Sequence, residues 1–256
     1  MFEVNQIYYG DSFELDKQIE DKSIDLILED MPYGITACDW DVKIDLEKYW
    51  ESRKRIIKDN GAIVLFGSEP FSSILRMSNL KDYKYEWYWK KNIPSGFQLA
   101  TIQPQRCIEN IIVFYKNHST YNKQLRKSII DYRKIINGNE VKIENHKKTE
   151  HNFGTKPHTT PRRSTVGLMV NPVNFLDIKC VPRATGYLHP TQKPVELFKY
   201  LIRTYTNEND LVFDGFLGSG TTAVACKELN RNFIGIEKEQ KYFEIANKRL
   251  QQETIF

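Results

Sequence analysis

Short, compact apolar runs recur along the chain, and between them apolar residues return at helical spacing. The runs Gln6–Tyr9, Ile24–Leu28, Ala62–Phe66, Leu211–Phe213 and Phe233–Ile236 predict strands, and the central ones have the unbroken apolar character of strands buried on both faces. Tyr85–Trp89 alternates aromatic and charged residues, and Ile111–Tyr115 is largely apolar, so both are expected to be strands as well. Helices are expected over Phe13–Glu20, Asp45–Lys58, Phe71–Leu80, Pro194 to about Tyr205, Thr221–Leu229 and Gln240–Gln252. Gly61 is the expected break after the second of these, and Pro194 suits the first turn of the fourth. Strands and helices in alternation imply a mostly parallel sheet covered on both faces, an α/β fold.

From about Lys116 to Pro182 this pattern fades into polar, basic and turn-forming residues. Residues 1–116 and 186–256 are therefore expected to be two halves of one domain, with 117–185 inserted between them. Charge sharpens this division. The whole chain carries a net charge of only +4, yet residues 121–170 hold eleven Lys and Arg against four Asp and Glu. Two readings stand for that stretch: a surface that faces a polyanion, or a solvated lysine-rich insertion.

Two turns carry the candidate chemistry. Asp214-Gly215-Phe216-Leu217-Gly218-Ser219-Gly220-Thr221-Thr222 joins a strand to a helix, where glycines let main-chain N–H groups approach a ligand closely. Its GxxGxG spacing is not the nicotinamide fingerprint GxGxxG. It matches the triphosphate loop except at the lysine, which Thr221 displaces, so the cation that grips the outer phosphates is missing. S-adenosylmethionine has no phosphate and needs no such lysine. Its ribose needs an acid at the end of the next strand, and Glu237 stands there. A turn without a ligand is the plain alternative.

The second turn, Asp30-Met31-Pro32-Tyr33, follows the strand Ile24–Leu28. It offers a carboxylate, a carbonyl that Pro32 biases outward, and an aromatic ring. Such a set suits an exocyclic amino group of a nucleobase, whose lone pair is delocalised into the ring. Two acceptors on that group favour a localised lone pair, and Tyr33 can stack on a base swung out of the duplex. Ordinary turn chemistry explains the same four residues separately.

Taken together, the two turns resemble those of the amino-group DNA methyltransferases, with their (D/N/S)PP(Y/F/W) and DPFxGSGTT elements. His189-Pro190-Thr191-Gln192-Lys193-Pro194 is similar to the HPTQKP element of one subgroup, and Tyr9-Gly10-Asp11-Ser12 to the strand end whose aspartate meets the cofactor's adenine. The order of catalytic turn, insertion and cofactor turn is that of the family's β group. The resemblance implies a Rossmann-like, seven-stranded methyltransferase sheet in which residues 6–11 supply the strand that follows the helix after Glu237, bringing the two ends of the chain together. It implies transfer of a methyl group from S-adenosyl-L-methionine to adenine N6 in double-stranded DNA, since an aspartate opens the catalytic turn. Cytosine N4 is the alternative target.

On this resemblance the catalytic residues are Asp30, Met31, Pro32 and Tyr33. Asp11, Asp214, Phe216, Gly218, Ser219, Gly220, Thr221, Thr222, Glu237, His189, Thr191 and Lys193 fall to the cofactor. Lys90, Lys91, Asn92, Phe97, Arg162 and Arg163 fall to DNA. Several have plainer readings: Asp11 as a helix cap, Phe216 as core, Thr221 and Thr222 as a helix start. Tyr85, Trp87 and Trp89 read as core rather than a base platform. Two residues depart from the family pattern. Met31 replaces a proline and gives up ring rigidity; Gly215 replaces another, expected to loosen the turn by up to about 1 kcal/mol.

The remaining features set the context. No apolar run approaches the roughly 20 residues that span a bilayer, and no basic-then-apolar leader opens the sequence, so a cytoplasmic protein is expected. Cys38, Cys107, Cys180 and Cys226 lack metal or disulfide spacing, and His146, His151 and His158 lack tight ligand spacing, so no metal is expected. A homodimer and a cognate restriction endonuclease stand as open partners. A catalytically silent DNA-binding protein on the same fold, and a methyltransferase acting on RNA or a protein glutamine, are the rival functions.

Overall fold

The computed structural model describes residues 2–34, 44–127, 169–181 and 192–252. The chain divides into two compact units, Met1–Asn122 with Asn174–Phe256, and Lys123–Val173. Of the second, the described residues include a short antiparallel pair, β6 (Arg126–Lys127) with β7 (Met169–Val170). Most of the basic stretch, with Arg162 and Arg163, lies outside the described residues, as do His189 and Thr191.

The first unit is built on eight strands: β1 (Gln6–Tyr9), β2 (Ile24–Glu29), β3 (Ile57–Gly67), β4 (Tyr83–Ser95), β5 (Arg106–Phe114), β8 (Phe175–Leu176), β9 (Leu211–Asp214) and β10 (Asn232–Glu237). Their order across the sheet is β1-β10-β9-β2-β3-β5-β4-β8. Only β5 runs against the other described strands of this sheet. The helices are α1 (Ser12–Leu15), α2 (Leu46–Ile56), α3 (Phe71–Ser78), α4 (Val195–Tyr205), α5 (Thr221–Glu228) and α6 (Gln240–Gln251). Among the described residues no helix is long and apolar enough to cross a membrane.

Two apolar layers flank the sheet because successive strand residues point to opposite faces. Leu26, Leu28, Val64 and Phe66 pack with Leu197, Phe198 and Leu201 of α4 and Ala223 and Cys226 of α5. Ile27, Ile63, Leu65 and Ile112 pack with Tyr49, Trp50 and Ile56 of α2 and Phe71 and Leu75 of α3. Trp87 and Trp89 are buried, as a core reading requires.

Five details differ from the pattern reading. The helix expected over Phe13–Glu20 is the four-residue α1 followed by a 3-10 turn, Asp16–Gln18. Among the described residues the sheet has eight strands rather than seven, because Phe175–Leu176 pairs with Tyr88–Trp89; two residues are too few to display a period. The hairpin strands β4 and β5 run well past the apolar segments, since their polar outer ends pair with each other rather than burying. Helix α2 ends at Ile56, ahead of Gly61, because Ile57 is extended and joins the sheet opposite Ile24. Pro194 caps α4 from outside, with its carbonyl accepting from the Leu197 and Phe198 N–H groups, rather than lying within the first turn.

The arrangement that matters most is at the centre. β2 and β9 are parallel neighbours, with Leu26 opposite Val212 and Ile27 opposite Phe213. From β9 the sheet continues to β10 and β1, and from β2 it continues to β3. Both segments that leave these two carboxyl ends thus emerge at one rim, at the point where strand order diverges and α/β sheets hold their ligands.

Candidate active site

Asp30-Met31-Pro32-Tyr33 leaves β2 at this rim. Asp30 Oδ1 accepts a 2.8 Å hydrogen bond from the Tyr33 hydroxyl, and Oδ2 accepts one from Lys193 Nζ. Met31 is buried in the layer that holds Phe71, so its side chain anchors the turn from below where a proline ring would have stiffened it. The Tyr33 ring stacks on Phe71 at 5.0 Å between centroids.

The glycine turn leaves β9 beside it. Asp214 is buried, accepting from Phe216 N–H at 3.0 Å and from the Thr222 hydroxyl. Glu237, at the end of β10, accepts from Gly218 N–H at 2.6 Å and from Glu239 N–H at 2.7 Å. Gly220 has φ +84° and caps α5, and a Cβ there would come within 2.9 Å of the Ala246 Cβ; conformation and space both demand glycine. Arg249 closes the far side of the turn by donating to the Ser219 carbonyl at 2.6 Å. Asp11 caps α1 by accepting from Phe13 N–H at 2.9 Å.

These elements open on a single cavity of about 330 Å³. Asp11, Asp30, Pro32, Lys193, Glu237 and the turn from Asp214 to Ser219, with Thr221 and Thr222, all line it. Among the described residues, Asp11, Asp30, Asp45, Glu237 and Glu239 face three lysines (Lys48, Lys193, Lys238) there, and Phe13 and Phe216 form an edge-to-face apolar wall. Such a lining suits a cationic ligand with hydroxyl groups. Burial pushes Asp214 up to about 8 against the hydrogen bonds from Thr222 and Phe216, and burial also raises Glu237.

Residues 24–248 match the DNA methylase family. The chain belongs to that family. It is 30% identical over 275 residues to the type II methyltransferase M1.MboII of Moraxella bovis, covering 100% of both chains. It is 28% identical over 288 residues to the type II methyltransferase M.HinfI of Haemophilus influenzae, covering 97% of this chain and 69% of that one. Among solved structures, the M1.HpyAVI–SAM complex matches with a TM-score of 0.62 at 28% identity, covering 96% of this chain and 99% of that one. The PvuII cytosine-N4-specific DNA methyltransferase matches with a TM-score of 0.65 at 17% identity, covering 98% and 88%, a likeness of fold.

Beneath the two turns of this methylase lies a buried ionic cluster that the sequence analysis did not single out. Arg53 on α2 is fully buried, and its guanidinium reaches Asp16 Oδ2 at 2.7 Å, Ser12 Oγ at 2.8 Å and Glu29 Oε1 at 3.0 Å. Glu29 also accepts from the Tyr49 hydroxyl at 2.5 Å and from Gly215 N–H at 2.9 Å. A signal was present: Arg53 occupies the apolar face of its helix, between Tyr49 and Ile56, where a charge needs a buried partner.

This cluster revises the expectation for Gly215. A Cβ at that position would fall 2.3 Å from Ser12 Oγ and 2.5 Å from Arg53 Nη2. The family's proline has neither the room nor the N–H. The flexibility that glycine brings is offset by a hydrogen bond to a buried carboxylate, and bonds to charged groups contribute about 1.5–3 kcal/mol.

The residues expected at DNA are placed differently from one another. Lys90 is half-exposed and 3.4 Å from Asp177, while Lys91 turns inward to Glu109 at 2.8 Å. Asn92 accepts from Cys180 N–H at 2.7 Å. Phe97 is 78% exposed in the connection between β4 and β5. Lys193 lies with Asp30 rather than with Glu237.

Two outcomes follow. Gly215→Pro, although it restores the family residue, is expected to destabilise the cofactor-free protein by about 2 kcal/mol or more in urea unfolding, through steric overlap and the loss of one hydrogen bond to Glu29; a raised midpoint would contradict this. Asp214 keeps its proton in the folded protein up to about 8 but loses it near 3.8 when unfolded. Its contribution to stability is therefore full at acid pH and is lost as pH rises towards 8. The melting temperature of the cofactor-free protein should fall less between pH 5 and 8 in Asp214→Asn than in the wild type.

Proposed function

We propose that the protein transfers a methyl group from S-adenosyl-L-methionine to the N6 amino group of adenine in double-stranded DNA. The observation that carries this reading is the shared cavity, with Asp30 at one side and the glycine turn with Glu237 at the other. The cofactor fits that lining: Glu237 would accept from its ribose hydroxyls, Asp11 would meet its adenine, and Asp214 with the turn's N–H groups would hold its methionine end. When bound, it supplies an electrophilic methyl group on a sulfonium.

The chain's own residues then act on the base. Asp30 and the Met31 carbonyl accept hydrogen bonds from the amino group, which draws its lone pair out of conjugation and aims it at the cavity. Tyr33, backed by Phe71 and tethered to Asp30, is the stacking surface for a base turned out of the duplex. Asp30 positions and polarises, and the proton leaves after transfer. The basic residues of 121–170, Arg162 and Arg163 among them, supply phosphate-facing charge. Adenine is favoured over cytosine because an aspartate opens the catalytic turn. We infer a cytoplasmic role beside a cognate restriction endonuclease, in keeping with the likeness to type II methyltransferases.

Incubation of mixed-sequence DNA with labelled cofactor, followed by mass spectrometry of nucleosides, is expected to yield N6-methyladenine. Asp30→Ala should lower the rate on the order of 10²–10³-fold, the usual cost of losing one preorganised hydrogen-bonding group. N4-methylcytosine alone would transfer the assignment to cytosine, and labelled RNA or protein without labelled DNA would overturn it.

A further inference from the structure

Lys193 is 8% exposed, and an ammonium that deep in a protein is costly unless it is paired. Its Nζ lies 2.5 Å from Asp30 Oδ2 and 3.5 Å from Glu109 Oε2 on β5. Glu109 is in turn paired with Lys91 of β4 at 2.8 Å. The four groups alternate in sign and sum to zero, so the cluster adds no net charge to the site. Among the described residues, Glu29 is committed to Arg53 and Asp214 to Thr222. Both pairings of Lys193 act to keep it a cation, which outweighs the opposing effect of burial.

The geometry at Asp30 is unusually defined for a rim residue. Tyr33 holds one carboxylate oxygen and Lys193 the other. A carboxylate has roughly four acceptor positions, so two fixed donors set its orientation and leave the remainder directed. The main chain of Lys193 also accepts a long 3.5 Å contact from the Thr221 hydroxyl of the glycine turn. One residue thus touches both turns, through its side chain on one and its carbonyl on the other.

We propose that Lys193 is a positioning residue for the catalytic carboxylate, acting through Asp30 and anchored by Glu109, rather than a ligand of the cofactor. The inference rests on the reading of Asp30 as an acceptor for the target amino group. Without Lys193 the aspartate turns about its own side-chain bonds, and displacements of about 1 Å at a reacting centre cost on the order of 10²-fold in rate.

The test is single-turnover methyl transfer at saturating cofactor and DNA, with cofactor affinity measured separately by calorimetry. Lys193→Met should lower the transfer rate on the order of 10²-fold while cofactor and DNA affinities stay within about threefold, a change under 0.7 kcal/mol. Lys193→Arg should recover most of the rate. In an Asp30→Asn background, Lys193→Met should cost less than about threefold more, because residues that act through one another are non-additive. Glu109→Gln keeps the shape but not the charge and should give an intermediate loss; it and Lys193→Arg carry the test should Lys193→Met not fold. Weakened cofactor binding with an unchanged rate at saturation would make Lys193 a cofactor ligand, and multiplicative losses in the double variant would detach it from Asp30. A wild-type protein that methylates no DNA would instead overturn the proposed function.

Discussion

The Arg53 guanidinium, held in a dry interior by Asp16, Glu29 and Ser12, is the interaction on which the candidate active site rests. Glu29 is the last residue of β2, and the next residue is Asp30. The carboxylate that neutralises Arg53 therefore also grips the glycine turn through Gly215 N–H and fixes the backbone from which the Asp30 side chain projects. Removing one partner of a buried ion pair costs about 3–5 kcal/mol, because the other charge is left stranded. Here that cost would fall on both turns at once. The rings of Tyr49 and Phe213, each 5.0 Å from the guanidinium carbon, seal the cluster from water and strengthen its electrostatics.

Above this cluster, the rim divides its charges by task. Carboxylates dominate the cavity that suits a cation, whereas the Asp30 side meets lysines brought by β4 and the segment before α4. The antiparallel strand β5 makes this possible. By running against its neighbours it delivers Glu109 beside the carboxyl end of β2, where a parallel strand would place its own loop. Lys91 and Lys193 can then converge on one buried acid from two separate elements.

Much of this was legible in the sequence, and the exceptions have physical causes. Apolar periodicity located the central strands and most helices because burial on two faces leaves little freedom in residue type. The two turns were legible because glycine and proline encode backbone geometry directly. The strand Phe175–Leu176 was not, being too short to show a period, and the outer halves of β4 and β5 were hidden by their polar residues. The cluster of Arg53 and Glu29 was not: the helix face marks Arg53 as needing a buried partner, but nothing in a linear pattern pairs residues 24 positions apart. The same blindness made Gly215 look like a loosened proline, when its meaning lies in the carboxylate that meets its N–H.

The pairing of β1 with β10, from Gln6 opposite Ile234 to Tyr9 opposite Glu237, has a topological consequence. The strand that completes the sheet beside the last one in sequence is contributed by the first. The rim depends on which strands are neighbours and not on which is translated earlier. A circularly permuted gene, opened at an exposed connection and spliced from α6 to β1 by a short linker, would encode the same rim with its two turns in the reverse order.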